Sequence, residues 1–485
     1  MAEPSLKNKA VNGVGWSAAD AILGQGVTFL VGIVLARLLS PTEYGLIGII
    51  SIFIVVLNGV VDSGFSNAII RKQDTTNEDY NTMFFTNLGF SILLYIGLYF
   101  SAPAIATFFE RDELTVLMRV MGLILIINAL SIIQITILTK KVDFKTKTKA
   151  SLTSAIISGI VGIILAYCGY GVWSLVAQQM TKQLLYTLCL WVLNKWIPAL
   201  KFSSQSFKYM WGFGWKLLLS GLLNNIWNQL YQVVVGKFYS PATLGQYSRS
   251  REYANLLSMN FTTIIQRVSY PVLAELQDDQ ERMVNGYRKI IKMTMFVTAV
   301  SMISMGAVAE PLIYCLIGPQ WHEAATYLPL ICISLSLYPL HAINLNMLQV
   351  QGRSDLFLIL EIIKKAIAIG PLCLGIFIDI QWMLVGSIGH GIISFFLNSY
   401  YTGKTLQYSS WMQLRDIAPS YAVAFTIGIT VYFLKLLPIS YFIILPIQVL
   451  VGAGVGFAVC ELFKPSEYID LKSIIQDKIK IFRKH

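Results

Sequence analysis

The chain has 485 residues, of which 55% are hydrophobic and only 13% charged, against about 25% charged in an ordinary soluble domain. With a mean hydropathy of +0.62, this composition belongs in a lipid bilayer. The formal net charge of +11 does not make a nucleic-acid binder, because the basic residues sit between apolar runs and no reading module accompanies them.

The polar start MAEPSLKNKA leads into a segment holding Asp20 and Gln25. It lacks the short apolar core and small-residue cleavage site of a signal peptide, so the first helix is expected to stay. Apolar stretches then follow near 10–38, 44–70, 81–109, 114–139, 150–170, 172–193, 211–236, 243–270, 288–317, 325–350, 355–378, 382–402, 417–437 and 441–463. At about 20 apolar residues per crossing, they predict an all-α polytopic membrane protein with about fourteen transmembrane helices. The stretch at 243–270 is the most polar, holding Arg249, Arg251, Glu252, Asn255, Asn260, Gln266 and Arg267. It spans only where those groups face protein or water. The six cysteines are scattered singly and read as small core residues.

Lysine and arginine give an independent reading, because cytoplasmic loops retain them. They recur in alternate loops: Lys7 and Lys9; Arg71 and Lys72; Lys140, Lys141, Lys145, Lys147 and Lys149; Lys195, Lys201 and Lys208; Arg282 to Lys292; Arg353; Lys404 and Arg415; and the tail beyond Phe463. Only Arg37, Arg111, Lys237 and Lys435 fall in the intervening loops. Both termini are therefore expected in the cytoplasm, with the amphipathic tail 464–485 on the inner membrane surface.

Residues 36–45, ARLLSPTEYG, are echoed by residues 236–245, GKFYSPATLG, and Gly13-Val14-Gly15-Trp16 by Gly212-Phe213-Gly214-Trp215. An echo at both ends of one segment, offset by about 200 residues, signals an internal duplication. The copies start six helices apart and so share one orientation. This predicts two parallel six-helix repeats, an N-terminal lobe 1–200 and a C-terminal lobe 201–408, followed by two further helices in 409–463. In transporters built from parallel repeats the substrate site lies near midplane between the halves. Each Ser-Pro pair ends a helix, since proline disfavours helix at the residue before it.

Ionisable side chains within spans cost at least ~2.5 kcal/mol each, and so face an aqueous cavity or a partner. The candidates for substrate binding are Lys216, Asn224 and Asn228 on the 211–236 stretch, which also holds Ser220 and Gln232 at four-residue spacing. Asp20 heads the corresponding, thinner stripe of the first stretch. Lys182 sits among Gln178, Gln179 and Gln183, and Arg249 lies one turn from Glu252. Lys364 and Lys365 fall close to midplane with Glu361 one turn back, so that either can be neutralised at i+3 or i+4 and the other is left over. Five cations against few acids point to an anion-binding cavity. No catalytic residue, metal or cofactor is expected. Gly403-Lys404-Thr405 resembles the end of a phosphate-binding loop, but Asn398 stands where its first glycine is required. The four histidines form no HExxH pair. Energy must come from a gradient or from substrate flux.

The order WSAAD, LARLLSPTEYG, DSGFSNAIIRK (Asp62–Lys72), SAPAIATFF (Ser101–Phe109) and LTKKVDFK (Leu138–Lys145), with NLNMLQVQGRSDLFL (Asn344–Leu358) later, resembles the polysaccharide exporters of the multidrug/oligosaccharidyl-lipid/polysaccharide flippase superfamily, of the colanic-acid and teichuronic-acid type. The resemblance implies a bacterial inner-membrane protein that flips a lipid-pyrophosphate-linked sugar repeat unit to the outer leaflet for surface polysaccharide assembly. Its implied partners are that lipid-linked oligosaccharide, membrane lipids, and a glycan polymerase with its chain-length machinery. Two rivals share parts of this pattern. A drug or cation antiporter of the same superfamily needs a carboxylate-rich cavity, whereas the charges here are mostly basic apart from Asp20, Asp62 and Glu361. A polytopic polymerase or ligase needs a substantial outer loop with catalytic Arg or His, and the outer loops are short.

Overall fold

The computed structural model describes Trp16 and residues 20–62, 64–276 and 279–482. Lys7, Lys9, the Gly13-Val14-Gly15 half of the second echo and the last three residues of the tail lie outside the described residues. The described chain is helical throughout, with no strand among the described residues. It forms two compact units, Met1–Gly245 and Gln246–His485.

The first unit opens with a π-helical turn, Asp20–Gly24, running into α1 (Gln25–Leu38). Then come α2 (Pro41–Asp62), α3 (Phe65–Arg71), α4 (Asn77–Phe109), α5 (Glu113–Met121), α6 (Leu123–Lys140), α7 (Phe144–Tyr167), α8 (Val172–Asn194) and α9 (Ser204–Phe238). Side-chain caps set several of these starts. Thr76 and Asp79 form a reciprocal capping box at α4, and the side chains of Asp143 and Ser203 accept the Thr146 and Ser206 amides at α7 and α9. The core is aliphatic, with Ile49, Ile50, Phe65, Ile69, Met83, Leu114 and Met118 fully buried. Gly64, at φ +71°, turns the chain between α2 and α3 and brings it against the Gly214 backbone and Leu217 of α9. Glycine adopts that φ at no steric cost, and the close approach to Gly214 leaves no room for a Cβ.

Helix α10 (Pro241–Glu275) begins at the end of the first unit and continues into the second. The second unit then holds α11 (Gln280–Ala307), α12 (Ala309–Leu316), α13 (His322–Ser336), α14 (Tyr338–Val350), α15 (Ser354–Ile367), α16 (Ile369–Phe377), α17 (Ile380–Leu406), α18 (Ser410–Leu434), α19 (Tyr441–Phe463) and α20 (Ser466–Phe482). Its core gathers Leu273, Tyr287, Met295, Leu340, Met347, Phe395, Tyr408 and Ile417. The polar ends of its tyrosines are satisfied. Tyr287 donates to Asn344 at 2.9 Å and Tyr408 to Asp416 at 2.7 Å, as buried hydroxyls require. Helix α20 is tied back through Asp470 to Lys289 at 2.8 Å and through Glu467 to Lys292 at 3.8 Å, both on α11.

Nine helical stretches among the described residues are long and apolar enough to cross a membrane, which makes this a multi-pass membrane protein. The other expected stretches are helical but differ in kind. Helices α8, α9 and α10 carry the polar stripes, α1 with the turn before it covers only the described part of 10–38, and the stretch expected at 355–378 holds Glu361, Lys364 and Lys365 in α15.

Candidate functional site

In the first unit four helices turn polar side chains toward one another. Lys182 on α8 donates to Thr28 of α1 at 3.4 Å. Its neighbour Gln183 donates to Asn128 of α6 at 3.2 Å, and Asn128 donates to Asn58 of α2 at 2.9 Å. Asp20, in the π-helical turn, lies within electrostatic reach of Lys182 and of Lys147 on α7, and its Oδ1 is buried with no hydrogen bond among the described residues. A second chain continues along α6, where Thr136 meets Ser66 at 3.0 Å and Ser66 donates to Asp62 at 2.5 Å. Buried polar groups cost free energy unless paired, so these chains are what lets apolar helices keep such residues inside.

Helix α9 carries Lys216, Asn224 and Asn228 at four-residue spacing, all three exposed. Their neighbour Asn225 packs on Gly59 of α2, where a Cβ would lie 2.6 Å from its amide nitrogen. The stripe is therefore turned away from the face that α9 packs. Lys216 makes no ion pair among the described residues; its ammonium lies 6.0 Å from the Trp215 ring centroid.

In the second unit Arg249 is 7% exposed and pairs with Glu252 at 2.6 Å. Lys364 pairs with Glu361, at i+3. Lys365, one residue on, is half-buried and makes no ion pair among the described residues. Both lysines lie in the last turn of α15. The Lys364 carbonyl, which accepts the Ala368 amide, also meets His390 Nε2 of α17 at 3.0 Å. A carbonyl only accepts, so this contact places a proton on Nε2. Ser394 Oγ lies 3.3 Å from the same nitrogen, and Asn398 Nδ2 lies 3.5 Å from His341 Nδ1 on α14. The two histidines, absent from the sequence-derived set, thus sit beside Lys364. The signal was present in the sequence: His390, Ser394, Asn398 and Thr402 form a four-residue stripe like the one recognised on 211–236.

The Ser-Pro echoes meet each other. A Cβ at Gly45 would lie 1.7 Å from the Pro241 carbonyl oxygen, and a Cβ at Gly245 would lie 1.9 Å from that of Pro41. The first turns of α2 and α10 thus cross with their backbones in contact, each glycine under the other copy's proline. Beside them Lys237 bonds Glu110 at 2.7 Å and lies over the Phe108 ring at 5.2 Å. Gly236 admits the Phe109 ring.

Known proteins are similar to this chain in sequence and in fold. The succinoglycan biosynthesis transport protein ExoT of Rhizobium meliloti (strain 1021) is 26% identical over 332 residues, 68% of this chain and 67% of that protein. The teichuronic acid biosynthesis protein TuaB of Bacillus subtilis (strain 168) is 26% identical over 363 residues, 73% of this chain and 74% of that one. Among solved structures, the lipid II flippase MurJ in an inward closed conformation superposes with a TM-score of 0.71 at 16% identity, covering 95% of this chain and 99% of that one, so the fold is that of a membrane transporter. The family model described as "Polysaccharide biosynthesis protein" matches residues 34–326, and this match, which takes in both Ser-Pro turns and most of the polar stripes, makes the chain a member of the polysaccharide biosynthesis protein family.

Proposed function

We propose that the protein flips a lipid-linked oligosaccharide bearing a pyrophosphate, the repeat unit of an O-antigen, capsule or exopolysaccharide, across the bacterial inner membrane by alternating access. The observation that carries this reading is the set of cations held inside apolar helices: Lys182 and Lys216 in the first unit, and Arg249, Lys364 and Lys365 in the second. A pyrophosphate leaving water loses hydration that only fixed cations or oriented donors restore. Lys216 and Lys365 are the residues to receive it, because Lys364 and Arg249 already hold Glu361 and Glu252. Asn224 and Asn228 offer amides to the sugars, and Asp20 with Lys182 completes the polar lining.

In this reading lobes 1–200 and 201–408 rock against each other, with 409–463 and the tail 464–485 appended. Both termini are cytoplasmic, and the paired Ser-Pro turns close the outer end. The flipped unit passes to a glycan polymerase and its chain-length machinery. The protein itself is no enzyme.

The test is accumulation of lipid-linked repeat units in the cytoplasmic leaflet, normalised to folded protein in the membrane. A Lys216→Gln, Lys365→Gln double variant is expected to accumulate them, while Lys216→Arg keeps part of the transport, because a point charge and not its shape is required. Normal flipping by the folded double variant overturns the anion-cavity reading. Efflux of a cationic drug that depends on Asp20 turns the assignment toward an antiporter.

A further inference from the structure

Helices α7 and α8 form an antiparallel hairpin whose outer face carries a groove of about 560 Å³. Its walls are Leu152 and Thr153 of α7 and Leu188, Val192 and Leu193 of α8, with Lys149 at one end. The apolar surface continues beyond the groove. Ile156, Ile160 and Ile164 carry it along α7, and Leu184 precedes Leu188 on α8, all exposed. Side chains three and four residues apart share one face of a helix, so each helix contributes a bare apolar stripe. Both stripes end in lysine. Lys149 heads the α7 stripe with Lys145 one turn before it, and Lys195 closes α8 three residues past Val192. All three are exposed, and none makes an ion pair among the described residues.

An apolar face on a multi-pass protein touches any lipid. A groove with one unneutralised ammonium group, that of Lys149, in its own lining and a second, that of Lys195, just past the end of α8 selects among lipids by headgroup. We propose that the α7–α8 groove binds one anionic phospholipid of the leaflet facing these lysine-rich loops, with an acyl chain along Leu152, Leu188 and Val192 and the phosphate between Lys149 and Lys195. The lysines match the headgroup in charge, and basic pockets between transmembrane helices hold anionic headgroups in this way. The assignment is independent of what the protein transports.

Cys189 lies in the same groove, half-buried, and reports on it without any substitution. Purified full-length protein is titrated with phosphatidylglycerol or phosphatidylcholine, and maleimide labelling of Cys189 is read by peptide mass spectrometry, with bound lipid counted by native mass spectrometry. Phosphatidylglycerol is expected to slow labelling of Cys189, leaving Cys373 unaffected, at concentrations where phosphatidylcholine does nothing. Lys149→Gln with Lys195→Gln should weaken that protection about twenty-five-fold, at about fivefold per lysine near an anionic headgroup. Leu188→Trp, which fills the groove, should abolish it. Equal protection by both lipids, or none by either in the wild-type protein, overturns the proposal. So does a polyprenyl phosphate that protects Cys189 at lower concentration than phosphatidylglycerol, since the groove then serves the lipid carrier.

Discussion

Replacing Gly45 by alanine puts a methyl group 1.7 Å from the Pro241 carbonyl oxygen. A carbon and a carbonyl oxygen normally stay about 3.3 Å apart, so the first turns of α2 and α10 must part by about 1.5 Å. Neither side of the contact is a flexible side chain that can swing away. Overpacking of this kind costs about 1–3 kcal/mol, which shifts a two-state equilibrium about 5- to 150-fold. The same substitution favours the helix itself by about 1 kcal/mol, so a loss of contact cannot be laid to unwinding of α2. With cysteines introduced at Ser40 and Ser240, both exposed, oxidation in membranes should link positions 40 and 240 in the parent and several-fold less in Gly45→Ala. Gly245→Ala, whose methyl would lie 1.9 Å from the Pro41 oxygen, should behave alike. The double variant should be barely worse than either single one, because turns already parted by the first methyl have room for the second. Full linkage in folded Gly45→Ala, or strictly additive losses, would refute the view that this backbone contact is the closed outer gate.

Glu361→Gln leaves the Lys364 ammonium, 12% exposed, without its carboxylate. Removing one partner of a pair this buried costs on the order of 3 kcal/mol, so thermal unfolding of the purified protein should come earlier, while flipping per folded molecule falls less; an unchanged melting temperature would mean that the pair is not structural. Reporter fusions after Lys72 and Lys149 should read inside and those after Arg111 and Lys237 outside, and one reversed pair breaks the charge-derived topology. At the Ser-Pro contact the hydrogen bond from Lys237 holds the Glu110 carboxyl below the ordinary carboxylate range. A group whose pKa is depressed contributes above the usual range and stops contributing as pH falls through the lowered value. The stability that this pair contributes, read by thermal unfolding, should therefore persist through mildly acid pH and fade only below it, with that acid fading absent in Glu110→Gln. A wild-type loss near neutral pH that survives in Glu110→Gln would exclude this carboxylate as its cause.

The apolar stretches were legible because burial in lipid leaves little freedom of composition, and the cations stood out against it for the same reason. Local spacing stopped one step short at Glu361, which i+3 and i+4 geometry allowed to pair with either lysine; in the structure it pairs with Lys364. His341 and His390 do not stand out singly, since nothing in a linear order announces that α14 and α17 are neighbours, although the stripe through Ser394 and Asn398 marks one of them. The Ser-Pro echo read as a repeated helix stop. What the sequence could not state is that Gly45 and Gly245 are small because each lies under the other's proline, a reason that exists only when residues about 200 apart touch.

That contact brings two helix N-termini together. Each carries about half a positive elementary charge from its aligned peptide dipoles, so the first turns of α2 and α10 repel where they cross. Only one of them brings a carboxylate against this charge: Glu43, which accepts the Ser40 amide at 2.6 Å. Its counterpart is Thr243, which makes the same cap without a charge through Ser240. The junction is held by fit and pushed apart by electrostatics, which makes it ready to open. Thr243→Glu should tighten it by supplying the missing negative charge, worth about 0.3–1 kcal/mol.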